Sequence, residues 1–219
     1  MISLAEIVVA VCLLVFIVIN LDNLLRYYTV RSATAARPQV ERQIATPLLI
    51  AGVGTIAFFL ESFLYVLLGY LGSKQLSLIS SLDFGTQIGI LEPFGLCVMV
   101  LGYAIFIWSV VVRGRYATSW QMPADHKLVD WGPYRYVRHP SYLAYFLMFL
   151  GFPLVWSNFL ALIPVTAIPG YVLIAFREEE MLVVKFGERY VQYKRRVGRF
   201  MPKMPKRKPR LQRAKPTPT

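Results

Sequence analysis

Gly132-Pro133-Tyr134-Arg135-Tyr136-Val137-Arg138-His139-Pro140-Ser141-Tyr142 puts two arginines, a histidine, four hydroxyl-bearing side chains and two prolines into eleven residues. Apolar sequence lies on both sides of it. Proline in the first turn of a helix loses no hydrogen bond and fixes the entry angle, so Pro140-Ser141-Tyr142 reads as a helix start. The apolar run that follows continues to about Trp156. A two-residue connection, Ser157-Asn158, leads into a second run from Phe159 to Phe176, and Arg177-Glu178-Glu179-Glu180 follows at once. Two apolar helices joined this tightly form an antiparallel hairpin. The polar knot before the first and the polar knot after the second then meet on one side, and the active site is expected there.

Composition sets the surroundings. The 219 residues are 56% hydrophobic and only 16% charged, with a mean hydropathy of +0.50. That is too apolar for an ordinary soluble domain. Long apolar runs alternate with short basic connections, the pattern of a polytopic helical membrane protein whose spans need about 20 apolar residues each. Five spans are expected, at about 2–21, 46–72, 94–112, 140–156 and 159–176. With five spans, 23 of the 24 basic residues fall on one side, and only Lys74 falls on the other. The positive-inside rule then places the N-terminus outside and the C-terminus in the cytoplasm. The net charge of +12 is explained by that bias and a basic tail, so no nucleic-acid partner is expected.

The first apolar run lacks a basic leader, and the small residues Ala33-Thr34-Ala35 come well after its end. It reads as a retained span. Cys12 and Cys97 sit in apolar segments without metal or redox spacing and read as buried small residues. Glu61 lies mid-span, where a carboxyl costs about 2.5–3.5 kcal/mol on insertion scales unless it faces protein or water. It reads as a protonated carboxyl inside the bundle, with a substrate amine or a proton as its alternative partner.

After the last span, Leu182, Phe186, Tyr190, Tyr193 and Val197 recur at helical spacing, with Arg189, Lys194, Arg195 and Arg196 on other faces. This predicts an amphipathic interfacial segment broken near Gly187. The expected fold is therefore an all-α polytopic membrane bundle with a C-terminal cytoplasmic interfacial helix. Residues 1–202 form one domain, and 203–219 form a basic tail suited to anionic membrane lipid.

The knots carry no metal-ligand spacing, no Ser-His-acid triad and no Gly-rich phosphate loop. Residues alone indicate a site for a polar or zwitterionic ligand next to lipid. The ordered combination of residues is more specific. His126-Lys127-Leu128-Val129, Gly132-Pro133-Tyr134 and Arg138-His139-Pro140-Ser141-Tyr142 precede Glu178-Glu179, which Leu182, Phe186-Gly187, Tyr190, Tyr193, Val197 and Pro202 follow. Together they resemble the isoprenylcysteine carboxyl methyltransferase family over about a hundred residues.

The resemblance implies an integral membrane methyltransferase that uses S-adenosylmethionine without a Rossmann domain. It implies cofactor contacts from His126, Lys127, Leu128, Val129, Tyr134, His139, Pro140, Ser141, Tyr142 and Glu178, within a cofactor region spanning 126–197. The lipophilic substrate would enter from the bilayer. Arg138 is the catalytic candidate, positioning a carboxylate acceptor, and Arg177 and Glu179 are the substrate-side candidates. Eukaryotic carboxyl methyltransferases of the family carry a substrate-contacting Arg one helical turn before the Glu; that position here is Ile174. Ala144 stands where many members have Gly. The competing readings are a phospholipid-type N-methyltransferase, a nicotinamide-dependent membrane reductase and a non-enzymatic membrane scaffold.

Overall fold

The computed structural model describes residues 2–31, 41–72, 82–83, 89–114 and 127–203. Helix α1 is Leu4–Arg31, α2 is Glu41–Tyr70 and α3 is Leu91–Arg113; a 3-10 turn, Gly132–Arg135, precedes α4, Pro140–Val155. A 3-10 segment, Phe159–Thr166, leads into α5, Ala167–Phe186, and α6 is Glu188–Arg196. Among the described residues there is no strand, only isolated bridges. The expected loop at Ser73–Leu91 lies mostly outside the described residues, as do His126 and the tail beyond Lys203.

The bundle has its apolar stripes on both faces. On α1, Ala5, Val9, Leu13 and Phe16 are buried, while Leu4, Ile7, Val11, Leu14, Val18 and Leu21 are exposed at the same helical spacing. A surface so apolar suits lipid rather than water. Leu4–Asp22, Ala45–Tyr70, Leu91–Arg113 and Phe159–Phe186 are long and apolar enough to cross a membrane; Pro140–Val155 is apolar but shorter. The protein is thus a multi-pass helical bundle, and α4 is its shorter apolar helix. Trp156 adopts an extended backbone that stops α4.

Helices α3 and α4 pack with their backbones almost touching. A Cβ added at Gly95 would lie 2.7 Å from the Gly151 carbonyl oxygen, and one at Gly102 would lie 2.9 Å from that of Ala144. Small residues allow this approach where lipid offers no hydrophobic drive between helices. Ala144 is fully buried in that contact. The interior is aromatic: Phe16 stacks on Phe59 at 4.0 Å, and Phe58 meets Phe149 and Phe152 edge-on. Cys97 is exposed on the outer surface rather than buried. Glu61 is buried in the bundle, and its Oε2 has no hydrogen-bond partner among the described residues.

The last span differs from expectation at both ends. Its first eight residues, Phe159–Thr166, wind as a 3-10 helix containing Pro164 rather than as an α-helix. Asn158 starts it, accepting from the Leu160 amide at 2.9 Å and donating from Nδ2 to Asp83 at 2.7 Å. At the other end, α5 does not stop at Phe176. It runs straight through the Arg177–Glu180 knot to Phe186, and the break comes at Gly187, whose φ of +56° suits glycine. The carboxylates therefore stand on a rigid helix rather than on a loop.

Candidate active site

Four pieces of chain converge where α4 begins. These are the 3-10 turn with residues 136–139, the second half of α5, the inner face of α6, and a strap of residues 197–203 that folds back from α6. Gly132 opens the turn with φ +59° against Val112 of α3. The strap runs beside the entry to α4: the Arg138 amide donates to the Gly198 carbonyl at 2.8 Å, and the His139 amide to that of Arg199 at 3.1 Å.

Glu179 is the hub. Its side chain is 1% exposed, yet it is surrounded by cations. Arg138 donates to its Oε1 from Nε at 2.9 Å and from Nη2 at 2.7 Å. Arg199 reaches both oxygens, at 2.8 and 2.9 Å. Lys194 Nζ lies 3.2 Å away. Arg138 Nη1 also donates to the Lys194 and Val197 carbonyls. Ion pairs buried this deeply fix geometry, because breaking one leaves an uncompensated charge.

Glu178, the next residue, faces another set. Its Oε1 accepts from the Tyr142 hydroxyl at 2.7 Å, and its Oε2 lies 3.5 Å from His139 Nδ1. The Tyr142 ring stacks on the His139 imidazole at 5.4 Å with planes 6° apart. Phe200 of the strap closes on the same imidazole at 5.9 Å. His139 Nε2 is 3.4 Å from Glu179 but too poorly aligned for a hydrogen bond. Burial alone would lower the basicity of His139; its interactions with Glu178 and Glu179 outweigh that and raise its pKa above the ordinary value.

The positions expected from the sequence divide clearly. Tyr142, His139 and Glu178 come together. Tyr134 is buried, its carbonyl held by the Tyr193 hydroxyl at 2.6 Å, and its own hydroxyl has no partner among the described residues. Leu128 and Val129 are buried, and Leu128 packs with Tyr190, Tyr193 and Val197. Ser141 is bonded to Ser109 at 2.8 Å, and Pro140 is enclosed. Lys127 is exposed, and His126 lies outside the described residues.

Arg138, Glu179 and Arg177, the catalytic and substrate-side candidates, are each engaged by other side chains. The Arg138 guanidinium is spent on Glu179 and two carbonyls, so it offers no bidentate grip on a carboxylate. Glu179 is neutralised within the same cluster. Arg177 is 49% exposed and pairs with Glu180 at 3.1 Å, away from the hub. Ile174 is fully buried and apolar. The sequence reading missed Arg199 and Phe200, which approach only because α6 and the strap double back.

The Tyr134 hydroxyl and His139 Nε2 are buried without a hydrogen-bond partner among the described residues, and the His139 ring lies beside the Glu178 carboxylate and the Tyr142 ring; these groups fit a ligand that is cationic and polar at once. A sulfonium amino acid nucleoside is such a ligand.

The chain is similar to several known methyltransferases. Residues 91–189 match the family model described as phospholipid methyltransferase. The chain is 28% identical to the protein-S-isoprenylcysteine O-methyltransferase of Tribolium castaneum over 160 residues, covering 70% of this chain and 50% of that one. It is 39% identical to the Schizosaccharomyces pombe protein of the same name over 87 residues, covering 37% and 35%. It is 41% identical to methanethiol S-methyltransferase of Crocosphaera subtropica over 70 residues, covering 32% and 27%. A solved eukaryotic intramembrane Ras methyltransferase aligns with TM-score 0.45 and 27% identity over 71% of this chain and 52% of that one. The chain thus spans half the length, or less, of these curated relatives.

Proposed function

We propose that this chain, whose C-terminal half is that of the isoprenylcysteine carboxyl methyltransferase family, transfers a methyl group from S-adenosylmethionine to a lipophilic acceptor taken from the bilayer. The acceptor favoured by the relatives is a carboxylate of isoprenylcysteine type. One observation carries the reading: the His139–Tyr142–Glu178 set, in which a half-buried carboxylate meets two buried, stacked rings. When bound there, S-adenosylmethionine supplies an electrophilic methyl on a positively charged sulfur.

The residues present suit that cofactor. Glu178 balances its positive charge, and the Tyr142 ring offers a cation–π face. His139 Nε2 and the Tyr134 hydroxyl remain to hold its polar groups. Leu128 and Val129, both buried, belong to the expected cofactor region, and Lys127 before them is exposed. Burial of Leu128, Val129, Tyr134, His139 and Tyr142 limits water, and a low local dielectric favours a transfer in which charge is lost. A carboxylate acceptor needs no base; it needs placement within reach of the methyl. The charge bias supports an outside N-terminus and a cytoplasmic site. Residues 1–202 would act as one catalytic domain and 203–219 as a lipid-facing basic tail.

A second reading has its own support. Arg138 and Arg199 are committed to Glu179, and Ile174 is apolar, so an uncharged acceptor such as a thiol or amine also fits. That acceptor must lose a proton, and Glu178 is the nearest carboxylate able to take it.

The test is to give the purified protein methyl-labelled S-adenosylmethionine with either an S-prenylated N-acetylcysteine or a long-chain thiol. A base-labile methyl ester supports the first reading, and a base-stable thioether supports the second. Transfer to neither acceptor, nor to a membrane lipid extract, contradicts both.

A further inference from the structure

Thr55 lies on α2, outside the stretch matched by the family model, yet it touches the candidate site through one residue. Its hydroxyl donates to the Ala51 carbonyl at 2.7 Å and lies 2.8 Å from the Tyr171 hydroxyl of α5. A hydroxyl has a single proton. With that proton on Ala51, Thr55 accepts and Tyr171 donates. The direction of the bond is therefore set by the α2 backbone. Tyr171 is left with its oxygen lone pairs turned from Thr55 and its ring held in one place.

That ring packs directly behind Tyr142 of the candidate site. It lies 5.0 Å from Tyr142 and 5.0 Å from Tyr145, stacked on the latter with planes 18° apart. Tyr142 in turn carries Glu178 and stacks on His139. The frame behind the contact is stiff. A Cβ added at Gly54 would lie 2.6 Å from that of Ala167, and one at Gly170 would lie 2.7 Å from the Pro47 carbonyl oxygen. Helices α2 and α5 thus meet backbone to backbone beside Thr55.

We propose that Thr55 is a positioning residue for the cofactor site: by fixing the Tyr171 hydroxyl it holds the Tyr142–Tyr145–Tyr171 rings where they favour a positively charged sulfur. This deepens the methyltransferase reading and rests on it. An aromatic wall should discriminate the sulfonium of S-adenosylmethionine from the neutral thioether of S-adenosylhomocysteine, which has the same shape but no charge. Thr55 would sharpen that preference without touching either ligand.

The experiment is calorimetric titration of both ligands into the full-length protein in detergent, for the wild type, Thr55→Val, Thr55→Ser, Tyr171→Phe and the Thr55→Val/Tyr171→Phe pair. Thr55→Val keeps the side-chain shape and removes the acceptor. We expect it to weaken S-adenosylmethionine by about three- to tenfold, the size of one net hydrogen bond, and S-adenosylhomocysteine by less. Thr55→Ser should restore wild-type affinity. Tyr171→Phe should match Thr55→Val, and the pair should be no worse than either single change. Equal weakening of both ligands, failure of Thr55→Ser to rescue, or additive losses would overturn the proposal while wild-type binding leaves the methyltransferase reading standing. If the wild type binds neither ligand, that reading falls and the positioning role falls with it. A Thr55→Val protein that fails to fold leaves Tyr171→Phe against the wild type as the deciding pair, judged by the same charge preference.

Discussion

Arg138 and Glu179 form a buried pair in which Nε and Nη2 of the guanidinium both donate to one carboxylate oxygen, at 2.9 and 2.7 Å. Their side chains are 6% and 1% exposed. The pair joins the entry to α4 with α5, and Arg199 on the same carboxylate adds the strap. Arg138 is thus held between α5 and the strap through this carboxylate.

Removing either partner should be costly. Glu179→Ala strands the Arg138 guanidinium, and losses of about 3–5 kcal/mol are typical when one side of a buried pair is deleted. The expected outcome is a lower unfolding midpoint in detergent for Glu179→Ala and for Arg138→Ala, with the double variant much less destabilised than the sum of the two. Full turnover loss in Arg138→Ala with an unchanged midpoint would restore Arg138 to a direct role.

His139 should make stability depend on pH. It faces Glu178 and Glu179 of α5, the Tyr142 ring of α4 and Phe200 of the strap, with Arg138 and Arg199 nearby on Glu179. Its pKa is raised in the folded protein, so the protonated form is favoured by folding. That contribution is complete below the unfolded value of about 6.5 and is lost as pH rises through the folded pKa. The unfolding midpoint of the wild type should fall over that rise more steeply than that of His139→Gln. Parallel curves for the two proteins would contradict the assignment.

The α3–α4 contact should reject any added side chain. Gly95→Val must push against the Gly151 carbonyl, which would lie 2.7 Å from the new Cβ. Overpacking of this kind costs about 1–3 kcal/mol. Since α4 also starts the site, cofactor affinity should drop together with the unfolding midpoint. A fully stable Gly95→Val would show that the helices are less tightly apposed.

The sequence disclosed the apolar runs, the break at Gly187 and the meeting of the two knots, because these depend on local pattern and on the shortness of Ser157-Asn158. It also singled out Tyr142, His139 and Glu178. It did not disclose the Arg138–Glu179 pair, since an arginine's setting depends on which carboxylate occupies it, and Glu179 is 41 residues away. It gave no hint of Thr55, whose partner Tyr171 is 116 residues away. The 3-10 winding at Phe159–Thr166 was hidden for a related reason. Proline has no N–H and so removes a hydrogen bond from an α-helix and from a 3-10 helix alike, and the choice between the two is made by packing.

Titration of S-adenosylmethionine into the purified protein, with Glu178→Ala as the control, tests the central claim most directly. Saturable binding that disappears in Glu178→Ala while the variant keeps its unfolding midpoint is the predicted result. Absence of binding by the folded wild type, or equal binding by both proteins, would contradict a cofactor site at His139, Tyr142 and Glu178.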